Sequence, residues 1–150
     1  MSQRSDLEQA GDFLDEEFKK GQDFFRIKID DLLFEKSIGS GASAEVYKGS
    51  YKEMDVAIKK LRFEVQQVGP TSPIKEFKRE VSTLVKVRHP NLVLFVGACA
   101  DKGHVMIVTE YCSGGSLFSL LHEKRSVNLS NKQKFKMALD IAKGMNFLHT

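Results

Sequence analysis

The sequence predicts an α+β fold in which three strands, a helix, two further strands and two helices follow one another along 150 residues. Apolar runs of strand length flank a glycine-containing connection near residue 40. A helical apolar repeat follows Ser72-Pro73, and another follows Ser130. Hydrophobic residues form 41% of the chain and charged residues 29%, which is ordinary for a soluble protein of one domain or less.

The bulk properties argue against several classes of protein. A net charge of +3 is too small to indicate a nucleic acid or membrane partner. The two cysteines, Cys99 and Cys112, form no disulfide framework, which favours a reducing compartment. No apolar run reaches transmembrane length, and residues 1–20 lack the apolar core of a signal peptide. We therefore expect a cytoplasmic protein with no membrane segment and no nucleic acid partner.

Residues 1–28 are predicted to form a separate acidic segment. Seven acidic residues stand against three basic ones in residues 1–25. An alternative is a weak amphipathic helix, because one side would carry Leu7, Phe13, Leu14 and Phe18. Composition favours a frayed, disordered leader over that helix. A docking or regulatory segment is the corresponding functional hypothesis.

The first part of the predicted fold is a run of three strands followed by a helix. The strands are expected at residues 33–38, 44–51 and 54–61, and a polar loop at residues 63–71. Ser72 is a good helix N-cap, and Pro73 suits the first helical position. The helix is expected to end near Arg88, because the residue before Pro90 disfavours helical backbone.

Two strands and two helices complete the prediction. A hairpin is expected from a strand at residues 92–98, a turn at 100–103 and a strand at 104–111. Residues 113–115 break the structure, and Ser116 caps a short helix that ends at about residue 123. Ser130 and Gln133 form a capping box that opens the last helix. The apolar stripe of this helix comprises Phe135, Ala138, Leu139, Ile141, Ala142, Met145 and Leu148.

The stretch I-G-S-G-A-S-A-E-V, followed by V-A-I-K, carries the main chemical signal. Gly39 and Gly41 end one strand, and successive backbone N–H groups in such a turn form an anion-binding concavity. Ala57 and Lys59 alternate onto one face of their strand, so a small residue and a cation lie together. This combination suits a phosphorylated planar ligand.

Simpler interpretations of the same stretch are an ordinary turn and a solvated lysine at the end of a buried strand. A dinucleotide-binding oxidoreductase would need a helix directly after Gly41, where this sequence predicts a strand. The Walker pattern G-x-x-x-x-G-K-[ST] is absent from the sequence. The order and spacing of the two motifs therefore favour a different class of nucleotide site.

Glu80 is a second candidate, because it borders the apolar face of the helix that follows Pro73. A carboxylate in that position would be desolvated unless it were paired. Lys59 on the third strand is the natural partner, and such a pair would position the lysine more than it would stabilise the fold. The alternative is a solvated carboxylate on the helix surface, and the rival partners Glu76 and Glu64 fit less well.

Together these motifs resemble those of protein kinases. The glycine-rich stretch and V-A-I-K are followed by F-K-R-E-V, R-H-P-N-L-V and V-T-E-Y-C-S-G-G-S-L, over about residues 30–150. The stretches I-D-x-L-x-F-E-K-x-I-G-S-G and L-F-V-G-A-C resemble the tyrosine-kinase-like group, near Raf-type and mixed-lineage kinases. The resemblance implies that residues 29–112 form a protein-kinase-like N-lobe, a five-stranded antiparallel sheet plus helix C, together with the hinge. Residues 113–150 would be the first two helices of an incomplete C-lobe.

The resemblance also assigns roles to individual residues. Lys59 and Glu80 would form the ion pair that positions the phosphates of ATP. Thr109 would be the gatekeeper, while the Glu110 carbonyl and the Cys112 N–H would hydrogen-bond the adenine edge. The complete set implied to contact ATP is Ile38, Gly39, Ser40, Gly41, Ala42, Ser43, Ala44, Val46, Ala57, Lys59, Thr109, Glu110, Cys112 and Ser116.

Two further implications concern packing in the small lobe. Leu84 and Phe95 would stack as its half of the regulatory spine. Ala44 stands where the kinase pattern usually has a third glycine. We therefore expect a stiffer lid that holds the phosphates of ATP less closely.

The catalytic-loop motif H-R-D-x-x-x-x-N and the D-F-G motif do not occur in the 150 residues. The catalytic base and the Mg²⁺ ligands are therefore expected only in a full-length kinase, and no metal site is assigned. The resemblance implies a parent kinase that phosphorylates protein hydroxyls, preferably Ser/Thr, truncated here before its catalytic loop, so that this chain alone transfers no phosphate. The alternative is a catalytically inactive kinase-like fragment that acts as a nucleotide- or protein-binding module.

Overall fold

The computed structural model describes residues 2–21, 24–62, 72–123 and 127–150. The contacts within it divide the chain into two units. The first unit comprises Met1–Arg88 and Leu94–Tyr111, and the second comprises His89–Val93 and Cys112–Thr150. The polar loop expected at residues 63–71 lies outside the described residues.

The described part of the first unit is a six-stranded sheet with two α-helices. A single 3-10 turn, Ile29–Asp31, precedes the second strand. The elements are α1 (Ser2–Lys19), β1 (Phe25–Arg26), β2 (Leu32–Ser40), β3 (Ala44–Tyr51), β4 (Met54–Leu61), α2 (Pro73–Leu84), β5 (Phe95–Asp101) and β6 (His104–Glu110).

The strands lie in the order β1-β5-β6-β4-β3-β2. All neighbours pair antiparallel except β1 and β5, which are parallel. The α+β class is confirmed, and β1 corrects the expected five-stranded antiparallel sheet. Gly97 in β5 permits this extra strand, because a side chain there would overlap the Phe25 carbonyl oxygen and press on Ile27.

Two tight turns set the register of the sheet. Lys52-Glu53 joins β3 to β4 and Lys102-Gly103 joins β5 to β6, with positive φ at all four residues. Two-residue turns of this kind match the twist of a hairpin. The prediction of a four-residue turn is therefore wrong, since pairing continues until Asp101 lies opposite His104. Strand β5 correspondingly begins at Phe95 rather than at residue 92.

Buried apolar side chains lie on both faces of the sheet. In β6, Val105 and Ile107 belong to one buried cluster, and Met106 and Val108 belong to another. A bulge just after Phe95 shifts the alternation of β5 by one residue relative to β6. Both strands are apolar along most of their length, as expected for strands that are buried on two sides.

Helix α2 begins where the sequence predicts but ends earlier. The Ser72 side chain caps it by accepting a hydrogen bond from the Lys75 N–H at 3.4 Å. Beyond Leu84 the α-helical hydrogen-bonding pattern changes to a tighter 3-10 type, because the Lys86 N–H donates to the carbonyl of Thr83, three residues earlier. The regular helix therefore stops at Leu84 rather than near Arg88. Its buried side is formed by Ile74, Phe77 and Val81.

Helix α1 shows that the prediction of a frayed leader is wrong and that the alternative of an amphipathic helix is correct. Ala10 and Leu14 are 0% exposed and share a cluster with the buried side of α2. Several acidic residues of the segment are exposed, and the Asp15 carboxylate accepts a hydrogen bond from Arg26 at 3.2 Å. Composition misled here, because a helix needs only one apolar stripe in order to pack.

The described part of the second unit contains two α-helices. Ser116 caps the first of its helices by accepting a hydrogen bond from the Ser119 N–H at 3.0 Å. The predicted capping box of the last helix is confirmed, with Ser130 and Gln133 exchanging bonds of 3.1 and 2.8 Å. None of the described helices is long and apolar enough to cross a membrane. The helices of this unit are α3 (Leu117–His122) and α4 (Asn131–His149).

Candidate functional site

Lys59 in β4 and Glu80 in α2 form an ion pair, with 3.0 Å between Nζ and Oε2. Each side chain is 37% exposed, so solvent screens the pair and it contributes about 1 kcal/mol or less to folding. Its main effect is geometric, because it ties the helix to the sheet and fixes where the ammonium group lies. The predicted contact is present. Of the rival carboxylates, Glu76 lies one turn earlier on α2, and Glu64 lies outside the described residues.

The strand register places the candidate residues of the sheet on one face. Val46 in β3 and Ile107 in β6 are the partners of Lys59, and Thr109 is the partner of Ala57. Directly opposed residues point to the same side of a sheet, as do residues two apart along a strand. Val46, Ala57 and Thr109 therefore share a face with Lys59, and all four are half-buried. This face offers a cation beside small and apolar side chains.

The connection between β2 and β3 is a short turn. The Gly41 N–H donates to the Ala44 carbonyl at 2.9 Å, which closes the turn. Neither Gly39 nor Gly41 has positive φ, and a Cβ atom on Gly39 would make only an ordinary 3.8 Å contact with Val46. The glycines therefore leave space above the backbone rather than relieve strain. The exposed residues of the predicted loop are Ile38, Gly39, Ser40, Gly41 and Ala42.

Arg62, which the sequence reasoning did not single out, holds this turn from the end of β4. Its backbone N–H donates to the Ser43 carbonyl at 3.0 Å, and its guanidinium donates to Ser40 Oγ at 2.8 Å. The guanidinium also lies 3.8 Å from the Glu45 carboxylate. The sequence signal that could have identified Arg62 is the Lys52-Glu53 turn. This turn fixes the pairing of β3 with β4, and the same pairing, continued past Ala44 and Leu61, places Arg62 opposite Ser43.

Ala44, the departure from the usual glycine pattern, points into the core. It is 6% exposed and belongs to the same buried cluster as Leu61, its partner across the β3–β4 pair. The methyl group therefore fills space that a glycine would leave empty next to Leu61. This packing explains how the hairpin accommodates an alanine, and the stiffer lid stays a prediction.

Glu110 ties the end of β6 to the start of β5. Its N–H donates to the Leu94 carbonyl at 2.9 Å, and its carboxylate accepts a hydrogen bond from the Leu94 N–H at 2.8 Å. The Thr109 hydroxyl donates to the Glu110 carbonyl at 3.3 Å. Because a carbonyl oxygen has two lone pairs, the Glu110 carbonyl can accept another hydrogen bond.

The two remaining predicted residues, Cys112 and Ser116, belong to the second unit. Cys112 is exposed, and its carbonyl accepts a hydrogen bond from the Gly115 N–H at 3.2 Å. Gly115 has a φ of 76°, which other residues rarely adopt. The Ser116 hydroxyl is engaged in capping α3. A glycine conformation and a helix cap therefore fix this short segment.

The predicted spine residues pack against one cluster of the first unit. Phe95 is a buried member of that cluster, and Leu84 is partly buried against it. The Phe95 ring also lies 5.7 Å from the Phe24 ring, centroid to centroid. Direct stacking between Leu84 and Phe95 stays a prediction.

Asp140 is the acidic residue of α4. Lys136 donates a hydrogen bond to its carboxylate at 2.7 Å, and this contact lowers the pKa of Asp140. The Lys136 side chain is 65% exposed, so the pair lies at the helix surface. Among the described residues, no group of three or more His, Cys, Asp or Glu side chains is arranged to hold a metal ion.

Comparison with known proteins gives a consistent result. A family model described as "Protein tyrosine and serine/threonine kinase" matches residues 32–150. The chain is 44% identical over 127 residues to serine/threonine-protein kinase TNNI3K of Mus musculus, which is 84% of the chain and 15% of that protein. It is 42% identical over 129 residues to serine/threonine-protein kinase STY46 of Arabidopsis thaliana, which is 86% of the chain and 22% of that protein. It is 41% identical over 120 residues to serine/threonine-protein kinase CTR1 of Arabidopsis thaliana, which is 79% of the chain and 14% of that protein.

The matched region extends from β2 to α4 and includes both members of the Lys59–Glu80 pair. Helix α1 and strand β1 precede it. The chain spans less than a quarter of the length of each of these relatives. With the sheet, the ion pair and the family match in agreement, the chain belongs to the protein kinase family, in its tyrosine-kinase-like group, and covers part of a kinase domain.

Proposed function

We propose that this chain is the ATP-binding portion of a kinase that phosphorylates protein hydroxyls, with Ser/Thr as the preferred acceptors. The observation that carries the proposal is the 3.0 Å Lys59–Glu80 pair on the sheet face next to the glycine turn. The three relatives described above are all named serine/threonine-protein kinases, which supports the acceptor class. The small charge and the two unpaired cysteines are compatible with a cytoplasmic role in signalling.

The residues present fit ATP by their chemistry. Lys59 supplies a cation for the phosphates, and Glu80 holds that cation in place. The space above Gly39 and Gly41 allows their backbone to approach phosphate oxygens. The Glu110 carbonyl can accept from the adenine edge. The apolar side chains proposed to cover the base are Ile38, Val46 and Ala57.

Two further contacts to ATP are carried over from the family resemblance. We assign the Cys112 N–H to the adenine edge and the Ser116 side chain to the ribose. ATP supplies the transferable phosphoryl group, and Mg²⁺ would neutralise charge on its phosphates in a longer kinase. The Mg²⁺ ligands of the family pattern are not among the 150 residues, so no residue of this chain is assigned to the metal.

A second candidate function is a nucleotide- or protein-binding module without catalysis. The absence of H-R-D-x-x-x-x-N and D-F-G from the 150 residues favours it for this chain on its own. Incubation with radiolabelled ATP, Mg²⁺ and a peptide library containing Ser, Thr and Tyr tests this point. We expect no transfer, and transfer that Lys59→Met abolishes would contradict an inactive chain.

ATP binding is tested by thermal unfolding with and without ATP, and by titration with a fluorescent ATP analogue. A ligand that binds the folded state raises the unfolding temperature. Hydrogen bonds to charged groups contribute about 1.5–3 kcal/mol, so Lys59→Met should weaken ATP binding roughly tenfold to a hundredfold. The matched control is Lys102→Met, because Lys102 is also paired with a carboxylate, that of Asp30, in the β5–β6 turn. An equal response to ATP in the two variants would contradict the proposal.

A further inference from the structure

Helix α2 carries Glu80, and its main backbone neighbour among the described elements is α1. Helix α1 also contacts β1, β5 and β6, which are neighbours in the sheet, so it packs against both these strands and α2. The family match begins at residue 32, after α1 has ended. A helix inside the kinase region therefore packs against a segment that precedes that region.

The contact between α1 and α2 is apolar and includes an aromatic pair. Phe13 meets Phe77 edge to face, with ring centroids 6.3 Å apart and an interplanar angle of 73°. Such pairs contribute about 0.5–1.5 kcal/mol beyond their burial. Ala10 and Leu14 of α1 are 0% exposed in the same cluster. Phe77 precedes Glu80 by three residues, so the two lie one helical turn apart.

Helix α1 is itself anchored to the sheet through the segment that follows it. Arg26 in β1 donates to Asp15 at 3.2 Å and to the Ala100 carbonyl at 3.4 Å. The Ile27 N–H donates to the Ala98 carbonyl at 2.9 Å. The helix is thus held to β5 at one side and contacts α2 at the other. It can therefore restrict the position of α2 relative to the sheet.

We propose that Phe13 is a positioning residue for the nucleotide site, because it holds α2 where Glu80 reaches Lys59. This inference rests on the proposed function, since it concerns the same Lys59–Glu80 pair. When Phe13 is truncated, α2 has more freedom and the pair is formed in a smaller fraction of molecules. The apparent affinity for ATP falls in proportion to that fraction.

The first experiment measures ATP-analogue affinity in Phe13→Ala, Phe13→Leu and Phe18→Ala. Phe18 is the matched control on the same helix, because its edge-to-face partner at 6.1 Å is Phe24, which is not on α2. We expect about threefold to tenfold weaker binding for Phe13→Ala, the range that corresponds to a pair of this kind. Phe13→Leu should restore most of the affinity, and Phe18→Ala should leave it unchanged.

A double-variant cycle separates positioning from general destabilisation. In a Glu80→Gln background the pair is already absent, so Phe13→Ala should cause no further loss of affinity. Additive losses, or equal affinities in Phe13→Ala and Phe18→Ala, would overturn the inference. If Lys59→Met binds the analogue as well as the unaltered chain does, the proposed function fails instead, and the second measurement decides the inference.

That second measurement needs no nucleotide. A water-soluble carbodiimide converts a carboxylate into an O-acylisourea, and a neighbouring amine then attacks its acyl carbon to form an amide, with the carbodiimide-derived group leaving as a urea. Mass spectrometry of proteolytic peptides gives the yield of the Lys59–Glu80 crosslink relative to that of Lys48–Glu35, another 3.0 Å pair between β3 and β2. We expect Phe13→Ala to lower this ratio severalfold and Phe18→Ala to preserve it. Equal ratios in the two variants would overturn the inference whether or not the chain binds ATP.

Discussion

Helices α1 and α4 have similar lengths of 18 and 19 residues, but their apolar faces have different surroundings. In the first unit, Ala10 and Leu14 of α1 are 0% exposed. In the second unit, Phe135 of α4 is 80% exposed and Leu139 is 50% exposed. An apolar stripe therefore tells which side a helix can bury, whereas the surrounding chain decides whether that side is buried.

The local sequence signals alone would favour the opposite result, with α4 as the better-defined helix. Helix α4 has a complete capping box at Ser130 and Gln133, while α1 belongs to a segment whose acidic composition suggested a disordered leader. Capping adds about 1 kcal/mol to a helix, and burial of one large apolar side chain adds roughly 1.5–3 kcal/mol. Packing in the tertiary structure therefore outweighs the caps. The comparison predicts that equal substitutions in α1 and α4 have unequal effects.

The largest expected effect is that of Leu14→Ala in α1. A buried leucine replaced by alanine costs about 2–5 kcal/mol, so this variant should strongly destabilise the first unit. Leu139→Ala in α4 is the matched control and should cost less than about 1 kcal/mol, because the side chain is half exposed. Urea unfolding followed by far-UV circular dichroism measures both variants. Tyrosine fluorescence isolates the first unit, since all three tyrosines of the chain lie there. Equal losses of unfolding free energy in Leu14→Ala and Leu139→Ala would contradict the proposed difference between α1 and α4.

Parts of the fold and site that depend on local patterns could be predicted from the sequence. The alternation of V-A-I-K placed Lys59 and Ala57 on one face, and Glu80 followed from the apolar stripe of α2. The strand β1 could not be predicted, because two residues carry little periodicity and their partner lies far along the chain in β5. The packing of α1 was missed because the acidic composition of the segment outweighed its apolar stripe, and because its partners α2 and β5 lie far along the chain. The contact of Arg62 with Ser43 could have been predicted, because the register of a two-residue hairpin places these residues opposite each other.

The two cysteines extend the comparison of the units to chemical reactivity. Cys99 in β5 is buried, and burial raises its pKa from 9.0 to about 11. At pH 8 this change lowers the thiolate fraction by a factor of about 100, and thiolate is the reactive form. Cys112 in the second unit is exposed. We expect a disulfide reagent to label Cys112 rapidly and Cys99 about 100-fold more slowly or only on unfolding.

Peptide mass spectrometry after timed labelling identifies the cysteine that reacts. Cys112→Ser should remove the rapid phase, and Cys99→Ser should leave it in place. Rapid labelling of Cys99 in folded protein would show that β5 is accessible and would break the contrast between the units. Addition of urea provides the control, because both thiols should then react at similar rates.

A smaller effect is expected for the exposed stripe of α4. Apolar patches of this kind promote self-association. Phe135→Ser removes its most exposed large side chain and should weaken self-association of the chain by about tenfold, the equivalent of roughly 1.4 kcal/mol. Asn146→Ser, an exposed position of α4, is the control that should change nothing. Sedimentation velocity over a range of concentrations gives the association constant, and a monodisperse unaltered chain would contradict the prediction.

The smallest expected effect concerns His104 at the start of β6, in the well-packed unit. Burial, followed by the charge of Lys60, lowers the pKa of His104, while Asp101 acts in the opposite direction. The unfolded chain therefore binds the proton first as the pH falls, so the fold loses stability below the ordinary histidine pKa of about 6.5. The loss stops growing once the pH has passed the lower pKa of the folded state. His104→Gln should remove this part of the acid sensitivity, and Lys60→Gln should reduce it by removing the repelling charge. Urea unfolding at pH values from 8 to 5 measures the slope, and a slope that His104→Gln leaves unchanged would show that His104 is as well solvated in the folded unit as in the unfolded chain.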